Sequence, residues 1–180
     1  CMNSKKFLAF AMAAAMTLSM TACGGSGSGA ASSGTDSAAG TAFKLGGTGP
    51  LTGGASIYGL AAQRGAQIAV DEINAQGGAI QFDLKYEDDQ HDPEKAVNAY
   101  NALKEWGMQI SLGSVTSQPG ISTSALSQED GIFALTPSAS SPDVIAGKDN
   151  VYQMCFSDPN QGLASAQYIA EQQLGEKIFI

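Results

Sequence analysis

Basic residues are scarce in this chain. Nine Lys and Arg stand against 17 Asp and Glu, a formal charge of −8 over 180 residues. A nucleic-acid binder needs a basic face, and these cations do not supply one. There is one histidine, His91, and there are three cysteines, Cys1, Cys23 and Cys155, with no two at metal-ligand spacing. A zinc site of the usual kinds is excluded, and no metal or cofactor is expected. The phosphate-loop pattern GxxxxGK[ST] is absent, and Gly47-Thr48-Gly49 has no following Gly at the dinucleotide spacing. No apolar run reaches the ~20 residues of a membrane-spanning helix. What is present is core material: 43% hydrophobic residues, 14% charged and 22 Gly. Disorder throughout is excluded, and the length suits one domain or one lobe of a larger protein.

The N-terminal region reads as an address and a tether. Lys5 and Lys6 precede an apolar run of 14 residues, Phe7 to Met20, and small residues follow to Met20-Thr21-Ala22-Cys23. This resembles a bacterial lipoprotein signal, which implies cleavage after residue 22 and a diacylglycerol on the Cys23 thiol. Loss of residues 1–22 takes the net charge from −8 to −10 and leaves Cys155 without a disulfide partner. Cys155 sits in the apolar stretch Val151 to Phe156 and is expected to be a small buried hydrophobe. Residues 23–42 are almost entirely Gly, Ser, Ala and Thr, a flexible linker that cannot offset the entropy of ordering. A lipid on such a leash implies a membrane-anchored, extracytoplasmic protein.

From residue 43 onward strands alternate with helices. Phe43 to Gly46 is a short strand. Leu60 to Ala75 is a helix, with Ala62, Ala66, Ala69 or Val70, and Ile73 on its inner face. Ile80 to Asp88 is a strand with Phe82, Leu84 and Tyr86 on one face. Asp92-Pro93-Glu94 caps a second helix, lined by Val97, Tyr100 and Leu103 and closed by Gly107. Then come a strand at Met108 to Leu112, a helix at Pro119 to Glu129, and strands at Ile132 to Leu135 and Val151 to Phe156. A helix over Gly162 to Leu174 follows, and a sixth strand starts at Lys177. This order specifies an α/β fold with a parallel sheet covered by helices on both faces. Its ligands bind at the carboxyl ends of the strands.

Four loops therefore carry the candidate chemistry. The Gly- and Thr-rich loop after strand one suits a tight turn or a flavodoxin-like phosphate loop, and Tyr58 stands beside it with an apolar face and a polar tip. Glu87-Asp88-Asp89 offers a Mg²⁺ or phospho-acceptor site, or simply a solvated acidic loop; His91 reads as an exposed loop histidine. After strand three, Ser114-Val115-Thr116-Ser117-Gln118 puts hydroxyls ahead of a helix, where free N–H groups attract an anion. After strand four, Thr136-Pro137-Ser138-Ala139-Ser140-Ser141-Pro142 is a second hydroxyl loop. With no activating base or metal ligand set, the pair suits binding rather than catalysis.

In order along the chain, several motifs resemble the type I periplasmic binding proteins of the leucine/isoleucine/valine group. They are Gly49-Pro50-Leu51-Thr52-Gly53 with Tyr58-Gly59, Ala69-Val70-Asp71-Glu72-Ile73-Asn74 with Gly77-Gly78, and Asp88-Asp89 with Asp92-Pro93. Gly113 with Ser117 and Thr136-Pro137-Ser138-Ala139-Ser140 complete them. The resemblance covers Phe43 to Ile180. It implies a non-enzymatic, two-lobed solute-binding lipoprotein that captures a branched-chain or similar amino acid in its cleft and delivers it to an ABC transporter permease. The implied segments are a signal at 1–22, a linker at 23–42, a first lobe at 43–175 and the start of a truncated second lobe at 176–180. Tyr58, Ser117, Ser138, Ala139 and Ser140 are the implied ligand-binding residues. Ser117 takes the α-carboxylate by hydroxyl and N–H, the Ser138 carbonyl takes the α-ammonium, Ser140 touches both, and Tyr58 packs on the ligand side chain. A sensor domain of the same fold, or a flavodoxin-like enzyme, are the alternatives. Gly46-Gly47 departs from the bulky residues usual in strand one and predicts a weak strand there.

Overall fold

Strand β1 (Ala42–Gly49) is an interior strand, paired on both sides, rather than a weak start. It pairs in parallel with β2 (Gln81–Asp88) over its whole length and with β3 (Ile110–Ser114) on its other side. In the computed structural model, residues 42–175 and Lys177 are described. The signal, Cys23, nearly all of the 23–42 linker and residues 178–180 of the expected sixth strand lie outside them. The sheet is completed by β4 (Phe133–Thr136) and β5 (Val151–Gln153), all parallel, in the order β2-β1-β3-β4-β5.

The glycines of β1 make room for neighbours. A Cβ on Gly46 would sit 2.2 Å from Met108 Sδ, and one on Gly47 would sit 2.4 Å from Tyr86 Cζ. The missing volume is filled from outside the strand, so the expected weakness does not arise. Met108 joins Tyr100 and Leu103 in one buried cluster, and burial pushes the Tyr86 hydroxyl up to about 12.

Four helices connect or follow the strands: α1 (Ser56–Ala75), α2 (Pro93–Trp106), α3 (Ser117–Asp130) and α4 (Asp158–Glu171). Helix α1 packs on β1 and β2, while α2 and α3 pack on each other and on the strands from β1 to β5. Right-handed crossovers send α1 to one face and α2 and α3 to the other, because the chain steps from β1 toward β2 and then back through β3. On the α1 face the cover is partial. Ala62, Gly65, Ala66, Tyr86, Leu112 and Leu135 border an open apolar groove of about 320 Å³. Helix α4 has no buried residue.

Several boundaries differ from expectation for a common reason. Gly107 and Gly131 close α2 and α3 in the left-handed conformation. The next residue then turns its N–H back into the helix: Met108 to the Leu103 carbonyl, Ile132 to the Ser127 carbonyl. Met108 and Ile132 therefore finish helices instead of starting strands. Helix α4 opens earlier than Gly162, with Asp158 and Pro159 in its first turn after Ser157. On α1 the buried residues are Gly59 and Val70, while Ile73 is 41% exposed. Asn74 turns inward instead, and its amide exchanges two hydrogen bonds of 2.8 and 2.9 Å with the backbone of Phe82. Cys155 is half-buried, not buried, with its Sγ 3.4 Å from the Ala139 carbonyl.

Close approach decides one further glycine. A Cβ on Gly59 would stand 2.1 Å from the Pro50 carbonyl oxygen, whereas one on Gly65, in the same helix, meets nothing within 4 Å. Gly→Ala in a helix normally gains up to about 1 kcal/mol. Gly65→Ala is expected to show that gain in urea denaturation. Gly59→Ala should instead lose about 2 kcal/mol or more, since backbone rather than a flexible side chain must give way. Equal effects from the two substitutions would overturn this account of the α1–loop contact.

Candidate functional site

The strand order places a switch point between β1 and β3, where successive connections leave toward opposite sides of the sheet. There the loops after β1, β2, β3 and β4 meet at a hollow of about 300 Å³. Tyr58, Ser117, Ser138 and Ser140 all line it, so four of the five expected residues come together from three separate loops. Tyr58, just inside α1, is 61% exposed. Val115, Thr116, Gln118 and His91 line the same hollow and were not assigned to it from sequence. Val115, Thr116 and Gln118 flank Ser117 and could have been inferred with it; nothing in the sequence signals His91.

Ala139, the fifth, does not face the hollow. It is 1% exposed and packs with Ala134, Val144 and Val151. Its N–H donates to Thr136 Oγ1, and its carbonyl accepts from Gln153 Nε2 at 2.6 Å and from Cys155 Sγ. Its place is beneath the loop, holding it.

Hydroxyls divide into stitches and free groups. Ser138 Oγ donates to the Val115 carbonyl at 2.8 Å, and Ser117 Oγ accepts the N–H groups of Ser140 and Ser141 at 3.2 Å each. Those bonds tie the loop after β4 to the loop after β3. Below them Thr48, Ser114 and Thr123 form a buried hydroxyl chain, and Thr136 Oγ1 donates to the Ser114 carbonyl at 2.8 Å. Gly113, in the left-handed region at φ 59° and with Thr136 Cα 2.9 Å from where its Cβ would be, lets β3 approach β4 this closely.

What remains unspent belongs to residues that line the hollow. Thr116 is the N-cap of α3, yet its side chain makes no capping bond. Among the described residues the N–H groups of Ser117 and Gln118 have no partner, and Pro119 has no N–H. The Ser117 hydroxyl proton, the Ser140 hydroxyl and the Ser138 carbonyl are also free among the described residues. Donors at a helix N-terminus and a carbonyl acceptor thus belong to residues that line one hollow. Such an arrangement binds an anion and a cation side by side.

The acids of the loop after β2 are each used separately. Asp88 Oδ1 accepts from the N–H groups of Leu51 and Gln90 at 2.8 and 3.0 Å, and Asp88 also binds the Thr52 hydroxyl. It thereby occupies the N–H groups of the Gly-rich loop that would otherwise cradle a phosphate. Burial pushes its carboxyl up, but these hydrogen bonds outweigh burial and hold it below the usual range. Asp89 is fully buried; Oδ1 accepts the His91 N–H at 2.9 Å, while Oδ2 has no partner among the described residues. Burial pushes its carboxyl up. Asp92 caps α2, accepting from Glu94 and Lys95 at 2.9 Å each.

Comparison with known proteins shows what the chain is similar to. The sequence profile described as periplasmic binding protein matches residues 42–180. A Leu/Ile/Val-binding protein, BraC3, of Rhizobium johnstonii is 35% identical over 134 residues, 73% of this chain and 36% of that protein. Leu/Ile/Val-binding protein homolog 3 of Brucella melitensis is 32% identical over 84% of this chain and 42% of its own length. Among solved structures, the branched-chain amino acid transporter substrate-binding protein LivJ of Streptococcus pneumoniae, in complex with isoleucine, superposes with a TM-score of 0.68. It is 29% identical, over 73% of this chain and 38% of that one. The chain thus spans well under half the length of these relatives.

The two neighbouring aspartates have opposite pH signatures. Asp88 is more acidic folded than unfolded, so its contribution is complete above the ordinary carboxylate range and is lost as pH falls through the folded value. Asp89 is less acidic folded, so it costs stability once pH rises above the ordinary range. Asp88→Asn should lose about 1 kcal/mol at pH 7, with the deficit shrinking below pH ~4. Asp89→Asn should gain relative to wild type as pH rises from about 4 to 7. Urea denaturation across that range checks both; parallel pH profiles would contradict the assignment.

Proposed function

The chain belongs to the periplasmic binding protein family, whose members are non-enzymatic solute-binding proteins, and on that footing we propose that it captures a branched-chain or similar amino acid for an ABC importer. The flavodoxin-like enzyme is set aside by that membership. The observation that carries the proposal is the pairing, in one hollow, of the free N–H groups of Ser117 and Gln118 with the free carbonyl of Ser138. An amino acid presents a carboxylate and an ammonium on one carbon, and these two sets of groups are the complementary ones. Ser117 donates to the carboxylate through its hydroxyl proton and N–H. The Ser138 carbonyl accepts from the ammonium. Ser140 offers its hydroxyl to either charge, and Tyr58 packs its ring on the ligand side chain. Ala139 supports the loop from below. A second lobe, continuing from residues 176–180, closes the cleft over the ligand.

The rest of the proposal concerns placement. Residues 1–22 direct export and are removed, Cys23 carries the lipid, and the following linker lets the lobe at 43–175 reach a permease in the same membrane. The protein then works outside the cytoplasm. The names and ligands of its relatives support this reading, as does the basic–apolar–small pattern ending at Cys23.

Two substitutions test it. Ser117→Ala in the whole protein removes a hydrogen bond to a charged group and is expected to weaken amino-acid binding about ten- to a hundredfold by calorimetry. An unchanged dissociation constant would reduce Ser117 to a loop stitch. Cys23→Ser is expected to move the protein from the membrane fraction to the soluble fraction in a host that processes lipoproteins. A variant that still sediments with membranes refutes the anchor.

A further inference from the structure

Helix α3 has a threonine at its N-cap that does not cap. Thr116 has the extended backbone of a capping residue, φ −117° and ψ 154°, close to the −117° and 125° of Asp92 at the start of α2. Asp92 accepts two helix N–H groups; Thr116 accepts none. Its hydroxyl lies instead 2.9 Å from Nδ1 of His91, on the neighbouring loop. A threonine cap accepts from the second or third helical residue. Here the third is Pro119, so the only N–H it can take is that of Gln118, one of the two left free at the hollow.

His91 is held where it can do this. Gln90 and His91 are consecutive non-glycine residues in the left-handed region, at φ 51° and 62°. That conformation is costly and persists only where neighbours impose it. The Gln90 N–H donates to Asp88 Oδ1, the His91 N–H to the buried Asp89 Oδ1, and the Asp92 N–H to the Asp89 carbonyl at 2.9 Å. The Asp89 N–H in turn donates to the Gly49 carbonyl at the end of β1. Backbone and carboxylate hydrogen bonds together thus hold the His91 main chain where its imidazole meets Thr116, at the wall of the hollow.

We propose that His91 is a positioning residue that draws the Thr116 hydroxyl off the α3 N-terminus and so keeps the Gln118 N–H available to an amino-acid carboxylate. This deepens the function proposed above and rests on it for the identity of the anion. Without the imidazole, Thr116 turns to its ordinary cap position and competes with the ligand for one donor. The exposed position of His91 makes the substitution compatible with folding.

The test uses the whole protein, its His91→Ala variant and the double variant His91→Ala/Thr116→Val, which has no hydroxyl with which to cap. Two readouts are taken: hydrogen exchange of the Gln118 amide by NMR without ligand, and calorimetric binding of L-leucine. His91→Ala should slow Gln118 exchange and weaken leucine binding, each about five- to tenfold. The double variant should return both toward wild type. A role of His91 in loop rigidity alone predicts no rescue, so a double variant as weak as the single one overturns the proposal. Unchanged Gln118 exchange in His91→Ala also overturns it. Failure of wild type to bind leucine or any other amino acid would instead strike the proposed function, and the exchange data would still decide what His91 does to the cap.

Discussion

A helix that follows a strand of a parallel sheet begins with N–H groups that nothing inside the helix can satisfy. In this protein every such start lies along one edge of the sheet, because all five strands run the same way. The starts are resolved differently. Helix α2 is capped by Asp92 and the 3₁₀ turn Pro142–Val144 by Ser141. Helix α1 is approached through tight turns, with the Ser56 N–H on the Gly53 carbonyl and the Tyr58 N–H on that of Ala55. Neither α3 nor α4 is capped by a side chain; at α4 the Asp158 N–H reaches the Ser140 carbonyl, whereas at α3 the debt is left open beside the switch point. The surrounding bonds keep that opening in shape: Asp88 pins the loop after β1, Ser117 and Ser138 pin the loop after β4, and the Thr48–Ser114–Thr123 chain secures β3 to β1 and α3.

The architecture was legible because it rests on period and punctuation. Alternating strands and helices, the Asp92-Pro93 start and the glycine stops each follow from local physics that tertiary contacts reinforce. Where the reading slipped, a tertiary or end effect intervened. Met108 and Ile132 looked like strand residues by composition, but the left-handed glycines before them route their N–H groups backward into helices. Gly46-Gly47 looked like a defect because a strand's volume was counted from its own residues. Met108 and Tyr86 supply that volume from neighbouring elements. Ile73 was assigned to a buried stripe by spacing, while Asn74 takes the inward position because its amide can pair with the backbone of edge strand β2.

The site was legible as a set of loops and less so as a set of roles. Sequence identifies a hydroxyl but not its partner. Ser138 and Ser140 are two positions apart and chemically identical, yet one hydroxyl is tied to Val115 and the other is free among the described residues. Ala139 between them alternates inward and joins the core. His91 left no signal because its position depends on two successive left-handed residues, a conformation uncommon for non-glycine residues and held here by hydrogen bonds to the two aspartates.

A division of labour follows from which atoms remain free. The polar groups left without partners at the hollow are mostly main-chain: the N–H groups of Ser117 and Gln118 and the carbonyl of Ser138. Side-chain substitution does not alter such groups so long as the loops keep their path, so these donors and this acceptor are built into the fold. If the proposed ligand is an amino acid, discrimination by side chain falls to the side chains bordering the open part of the hollow. On this lobe the large exposed group is Tyr58, carried on α1 rather than on the hydroxyl loops. Helix α1 is held against the loop after β1 by the close Gly59–Pro50 approach, and that loop is held by Asp88. Tyr58 thus stands on a different support from the free main-chain groups of the hydroxyl loops, and on the proposed amino-acid reading the two can change independently.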